Sequence, residues 1–238
     1  MRRLRAAVHT SREGKNVMQL YRQYALELSR TLSRMPWDVI DGVVNVLHSA
    51  RMNGNHIFVM GNGGSAATAL HMACDLGKNT VVPGLPRLRV MSLTDNMALF
   101  SAHANDNAYE NVFAEQLDNF ARPGDVAIAI SASGNSPNVL NGMARARYLG
   151  ATTIGWCGND GGKLAGICDL AVVVPNYCTE QIEDVHLIME HIITVALRDA
   201  MPARVAKNGT NGTSKASAFA LPTPVPATLA MDAPNTMG

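Results

Sequence analysis

The stretch IFVMGNGGSAATALHMACDL, Ile57 to Leu76, passes from a β-type apolar tetrad through a loop of glycine, asparagine and serine into a helical pattern. A second junction of this kind, VAIAISASGNS, Val126 to Ser136, precedes the helical pattern Pro137 to Tyr148. The first N–H groups of a helix lack backbone partners and face the positive end of its dipole, so such a junction favours an anion, and small residues let it approach. Ser131, Ser133 and Ser136 add hydroxyl donors without adding charge. Neither loop carries the GK[ST] ending of a triphosphate-binding loop, and GNGGS lacks the GxGxxG spacing of a dinucleotide site. One glycine-rich turn can be purely structural. Two of them in one chain point to a phosphorylated small molecule, and a sugar phosphate fits better than ATP or NAD.

Around these junctions the strand-like runs Ile57 to Met60, Leu88 to Leu93, Val126 to Ile130, Thr152 to Trp156 and Leu170 to Val174 alternate with helical patterns. The clearest of these are Ala66 to Gly77, Asn111 to Phe120 and Pro137 to Tyr148. Alternation of this kind predicts an α/β fold with a parallel sheet covered on both faces and ligands at the carboxyl ends of the strands. Leu20, Tyr24, Leu28 and Leu32, then Trp37, Ile40, Val43, Val44 and Leu47, predict two helices before the first strand. A last helix is expected from Thr179 to about Ala200, its apolar run LIMEHIITVAL suited to deep burial or to another subunit.

The chain of 238 residues is long enough for one well-buried domain. With 47% hydrophobic and 16% charged residues and a net charge of +1, it has the makeup of a globular enzyme and lacks the field expected of a nucleic-acid or membrane-surface binder. Residues 1–14 are expected to be flexible, 15–200 to form the domain, and 201–238, rich in Ala, Pro, Thr, Gly and Asn, to be a disordered low-complexity tail. Two NGT triplets in that tail match a glycosylation pattern but are read as chance. No apolar run reaches membrane-spanning length, and the basic start MRRLR is not followed by a signal peptide's apolar region, so a cytoplasmic setting is expected. Cys74, Cys157, Cys168 and Cys178 form no CxxC pair and are read as reduced thiols.

His71 and Asp75 are four residues apart and share one helix face, a spacing that suits a shared metal or a proton relay. Glu183, His186 and His191 form a further polar set within the otherwise apolar last helix. An isolated helical histidine such as His186 is usually packed or on the surface.

GNGGSAATALHMACDL, AHANDNAYENVF, ISASGNSPNVL, GNDGGKLAG and QIEDVHLIMEH occur in this order, and together they resemble a sugar isomerase (SIS) domain of the phosphoheptose isomerase type over roughly Tyr21 to Arg198. The resemblance implies a three-layer, flavodoxin-like sandwich with five parallel strands, and a homotetramer with active sites at subunit interfaces. It also implies conversion of sedoheptulose 7-phosphate to D-glycero-D-manno-heptose 7-phosphate through an enediolate.

Carried over motif by motif, the resemblance places Asn62, Gly63, Gly64 and Ser65 around the substrate. Ser131, Ala132, Ser133 and Ser136 would cradle the phosphate, Ala132 standing where the family commonly has threonine. Asn105 and Asp106 match a substrate-contacting pair. His71, Asp75, Glu183 and His191 match a site for one Zn2+, where His, Glu, Gln and His are usual, with Asp75 as base and substrate contact, His191 as acid, and Glu183 also touching substrate. Glu183 and His191 are eight residues, about 12 Å, apart along a helix, which keeps His186 as an alternative ligand. Two other roles for such a chain are a non-catalytic tetramer that binds a protein partner and a sugar phosphate sensor. The second would need a DNA-binding segment, and the sequence shows little basic clustering for one.

Overall fold

A computed structural model describes residues 17–201. The expected flexible start and the expected tail after Met201 fall outside the described residues.

Two helices come first, α1 (Val17–Ser33) and α2 (Trp37–Asn53). Then follow β1 (His56–Gly61), α3 (Gly64–Lys78), β2 (Arg89–Ser92), α4 (Met97–Asp106), α5 (Val112–Phe120), β3 (Val126–Ser131) and α6 (Pro137–Tyr148). The chain continues through β4 (Thr152–Cys157), α7 (Gly162–Ile167) and β5 (Leu170–Val173) to α8 (Thr179–Val195), which runs on into a π-helical turn, Ala196–Ala200. The last helical segment ends where the sequence predicts, although its final turn is widened. Helix α3 begins two residues earlier than the apolar pattern suggests, because Gly63, at φ 54° and ψ −122°, turns the chain sharply into it. Helix α4 is short and has no buried residue, so its pattern carries little periodicity.

The five strands are all parallel, in the order β2-β1-β3-β4-β5. Both faces are covered, as the continuous apolar runs require. Ile57, Val59, Ile128 and Ile130 pack with Leu47, Met72, Val185 and Met189 of α2, α3 and α8. Phe58, Met60, Ala127 and Ala129 point the other way, onto Phe113, Leu117, Val139 and Met143 of α5 and α6. Two-residue alternation thus divides one run between two cores, giving the three-layer sandwich.

The order reverses between β1 and β3, and open α/β sheets offer a crevice at such a switch. Gly61 pairs with Ile130, so the two strands end at the same level. The Gly/Ser loops therefore emerge side by side at the mouth of that crevice.

Candidate active site

The loops leaving β1 and β3 enclose a cleft of about 250 Å³. Of the sequence-predicted residues, Asn62, Ser65, Ser131, Ala132, Ser133, Ser136 and Glu183 line it; Asn159 and Thr179, which the sequence did not single out, complete the polar wall. No lysine or arginine is among the lining residues. Any anion here would be held by hydroxyls, amides and backbone N–H groups, which provide direction without net charge.

The loop after β3 is braced from behind. Gly158 N–H and the Asn159 amide donate to the Ala132 carbonyl (3.0 and 3.2 Å), and Leu164 N–H donates to the Gly134 carbonyl (2.9 Å). The threonine hydroxyl absent at Ala132 does not disturb this scaffold, which uses only the Ala132 backbone. Asn62 and Asn138 exchange amide hydrogen bonds at 2.8 Å in both directions, tying the first loop to the start of α6. Tyr109 donates to Asn62 Oδ1 at 3.0 Å. On the far side of Asn62 lies a smaller, largely apolar recess of about 190 Å³, bordered by Gly63, Met97, Phe100 and Tyr109.

Asn105 and Asp106 are not brought to the cleft. They end α4 on an exposed surface, with the Asn105 amide donating to Asp106 Oδ1 at 2.7 Å.

Further along α3 and α8, His71, Asp75, Glu190 and His191 gather one ligand atom each within 4.8 Å of one another. The two histidine Nε2 atoms are 3.4 Å apart, with rings edge-on at 78°. Asp75 Oδ2 is 3.7 Å from His71 Nε2 and 4.0 Å from His191 Nε2, and Glu190 Oε2 is 3.4 Å from His191 Nε2. A tetrahedral ion with nitrogen and oxygen ligands at 2.0–2.2 Å spaces its donors about 3.3–3.6 Å apart. Four of the donor pairs, at 3.4–4.0 Å, are at or slightly beyond that spacing.

Glu190 carries the second indication of a cation. Its side chain is 0% exposed, Oε1 accepts from Thr194 Oγ1 at 3.0 Å, and Oε2 has no hydrogen-bond partner among the described residues. Burial pushes its pKa up, the sign of a buried carboxylate whose charge is not fully compensated. An ion between it and the two imidazoles would supply the missing charge, so the donor set fits a divalent metal of the borderline kind that imidazole and carboxylate share. His71 and His191, with 43% and 49% of their side chains exposed, leave the group open on its outer side.

Glu183, expected among the metal ligands, is not in this group. It lies seven residues before Glu190 on the continuous helix α8, about 10 Å along the axis, and its carboxylate instead lies over the first turn of α3. His186, the alternative ligand, faces the sheet; it is fully buried with its ring 6.1 Å from that of Trp156, and burial lowers its pKa to about 4. Adjacent residues on a helix diverge by about 100°, so a spacing search for partners of His191 passes over Glu190. The available signal was a single acidic residue inside LIMEHIITVAL.

The SIS domain family model matches residues 20–158. Among curated proteins, the phosphoheptose isomerase of Aquifex aeolicus is 36% identical over 179 residues, covering 75% of this chain and 93% of that protein. That of Aliarcobacter butzleri is 46% identical over 143 residues, covering 59% of this chain and 74% of the relative. Among solved structures, phosphoheptose isomerase from Neisseria gonorrhoeae superposes with a TM-score of 0.71 at 27% identity, covering 76% of this chain and 98% of that one.

Proposed function

The chain belongs to the SIS domain family, and on that premise we propose that it is a metal-dependent aldose–ketose isomerase that converts sedoheptulose 7-phosphate to D-glycero-D-manno-heptose 7-phosphate. The observation that carries the reading is the pairing of two half-sites on the same two helices. An anion cleft without a lysine or arginine in its lining stands at the start of α3, with Glu183 of α8 on its wall, and a metal-capable group stands about two turns further along both helices. That offset, about 10 Å, suits a sugar whose phosphate and carbonyl are at opposite ends of its chain.

The residues divide the work accordingly. Ser131, Ser133, Ser136 and the backbone around Ala132 hold the phosphate, while Asn62, Gly63, Gly64 and Ser65 shape the wall along which the chain extends. Isomerisation takes a proton from C1 of the ketose as the C1–C2 double bond forms, returns a proton to C2, and moves the O1 hydroxyl proton to O2. Asp75 takes the carbon-bound proton, and the His191 imidazole serves the oxygens. His71, Asp75, Glu190 and His191 would hold the ion, and zinc fits the set; when bound it stabilises negative charge developing on oxygen.

We also assign a homotetramer with interfacial active sites. Leu70, beside His71, and Ile192, beside His191, are exposed large apolar residues, and α1 adds Leu20, Tyr21 and Leu26. Exposed apolar residues on the same helices as the site support burial by a second copy. Asn105 and Asp106, on their exposed helix end, are then available to a substrate held against a neighbouring subunit. A phosphorylated substrate and free cysteines support a reducing, cytoplasmic setting.

The test is incubation of purified protein with sedoheptulose 7-phosphate, with and without added zinc. The expected result is formation of the aldose product, lost on chelation and restored by zinc. Absence of product in both conditions would overturn the assignment.

A further inference from the structure

Asn62 stands between the anion cleft and the apolar recess and lines both. The direction of its amide is fixed by a chain of hydrogen bonds that starts at a backbone group. Val139 N–H, which can only donate, gives its proton to Asn138 Oδ1 at 3.0 Å. That contact settles which end of the Asn138 amide is oxygen. Its Nδ2 therefore donates to Asn62 Oδ1, and Asn62 Nδ2 in turn donates to Asn138 Oδ1, both at 2.8 Å. The Tyr109 hydroxyl meets the same Asn62 oxygen at 3.0 Å and has to be the donor there. Two donors fill the two lone pairs of Asn62 Oδ1. One N–H of the Asn62 amide is left, and it has no acceptor among the described residues.

Asn138 is 1% exposed and Tyr109 53% exposed, so Asn62 has one buried and one open partner. Both are held by α6. Asn138 is in its first turn, just after Ser136 of the anion loop. Asn141, three residues on and on the same helix face, donates to the Glu110 carbonyl at 3.0 Å and to Asn111 Oδ1 at 3.1 Å, which ties down the turn Tyr109–Asn111. An unrestrained side-chain amide rotates to present either its oxygen or its NH2, and the oxygen would repel a phosphorylated ligand, which is rich in acceptors. We propose that Asn138, assisted by Tyr109, is a positioning residue for the substrate: the two lock the Asn62 amide so that it offers the cleft an N–H donor, ready for an oxygen of the phosphorylated sugar, and never its own oxygen. Neither Asn138 nor Tyr109 is among the residues that line the cleft, so each acts through Asn62. The sugar as ligand rests on the isomerase reading, while the lock itself rests on the hydrogen-bond geometry alone.

The test is a double-mutant cycle on zinc-loaded protein, read as affinity for a heptitol 7-phosphate, which has the phosphate and the hydroxyls but no carbonyl to turn over. Asn138→Leu keeps the side-chain volume and removes the lock. It is expected to weaken binding about tenfold while Asn62 is present. In the Asn62→Ala background it should have no further effect, because the group it positions is gone. Zinc content should be the same in every variant. Equal weakening in both backgrounds would show that Asn138 supports the cleft as a whole and would overturn the proposal, as would no weakening in either. Tyr109→Phe removes one hydroxyl at an open position and decides the matter if Asn138→Leu does not fold. A loss of about threefold that disappears in the Asn62→Ala background supports the lock; any other result overturns it. If wild type binds the heptitol phosphate but fails to isomerise the heptulose phosphate, the isomerase reading falls and the cycle still decides the role of Asn138.

Discussion

Glu190 is buried completely, but one of its oxygens has no hydrogen-bond partner among the described residues. A buried polar group without a partner typically costs about 1–3 kcal/mol, and more when charged. Glu190→Gln keeps the shape and removes the charge, so its effect should reverse sign with metal. In the metal-free protein the variant is expected to be more stable by about 1 kcal/mol. Its affinity for zinc is expected to fall by at least about tenfold, since a neutral amide replaces an anionic donor beside His191. Thermal melts with chelator and with zinc, together with metal content after dialysis, check both halves. An unchanged zinc-induced rise in melting temperature would remove Glu190 from the metal set.

At the scale of elements, α3 and α8 carry the site and α1 steadies α8 from outside. Tyr24 donates to Asp184 Oδ2 at 2.5 Å, and the Gln181 amide donates to the Tyr24 carbonyl at 3.1 Å. The hydrogen bond to Asp184, followed by burial and nearby negative charge, raises the Tyr24 pKa from 10.0 to about 12. A phenol whose folded pKa is raised contributes stability that is fully present below its unfolded pKa and is lost as pH rises through the folded one. The contact should therefore weaken between pH 10 and about pH 12. Tyr24→Phe is expected to lower stability by about 0.5–1 kcal/mol near neutral pH, a modest figure because the pair is exposed. The difference from wild type should disappear across that alkaline window. Urea unfolding of both proteins from pH 8 to 12 measures it; a difference that persists at the upper end would show that the hydroxyl contact is not what docks α1.

For the whole molecule, the exposed apolar residues next to His71 and His191 in sequence bear on assembly. Leu70→Glu combined with Ile192→Glu is expected to convert a species of four times the 25.4 kDa chain mass into a smaller one. Light scattering after gel filtration reads this directly, and activity should fall with it. A tetramer that tolerates both charges would place the contact elsewhere. The fold itself was legible in the sequence, because strand runs such as Ile57 to Met60 and helical spacing such as His71 to Asp75 are local patterns. The anion loops were legible for the same reason, since Gly63 and the serines act through their own backbone and neighbours. The membership of the metal group was not. Which carboxylate of α8 comes near His71 and Asp75 depends on how α8 is rotated and offset against α3, and that depends on packing of Val185, Met189 and Ile193 against the sheet. Sequence alone determined an α/β chain with two adjacent phosphate-type loops and a histidine–carboxylate pair. Only the tertiary structure brings the Glu190 carboxylate beside that pair and leaves Glu183 at the cleft of this chain, because contacts between helices remote in sequence are set by three-dimensional packing.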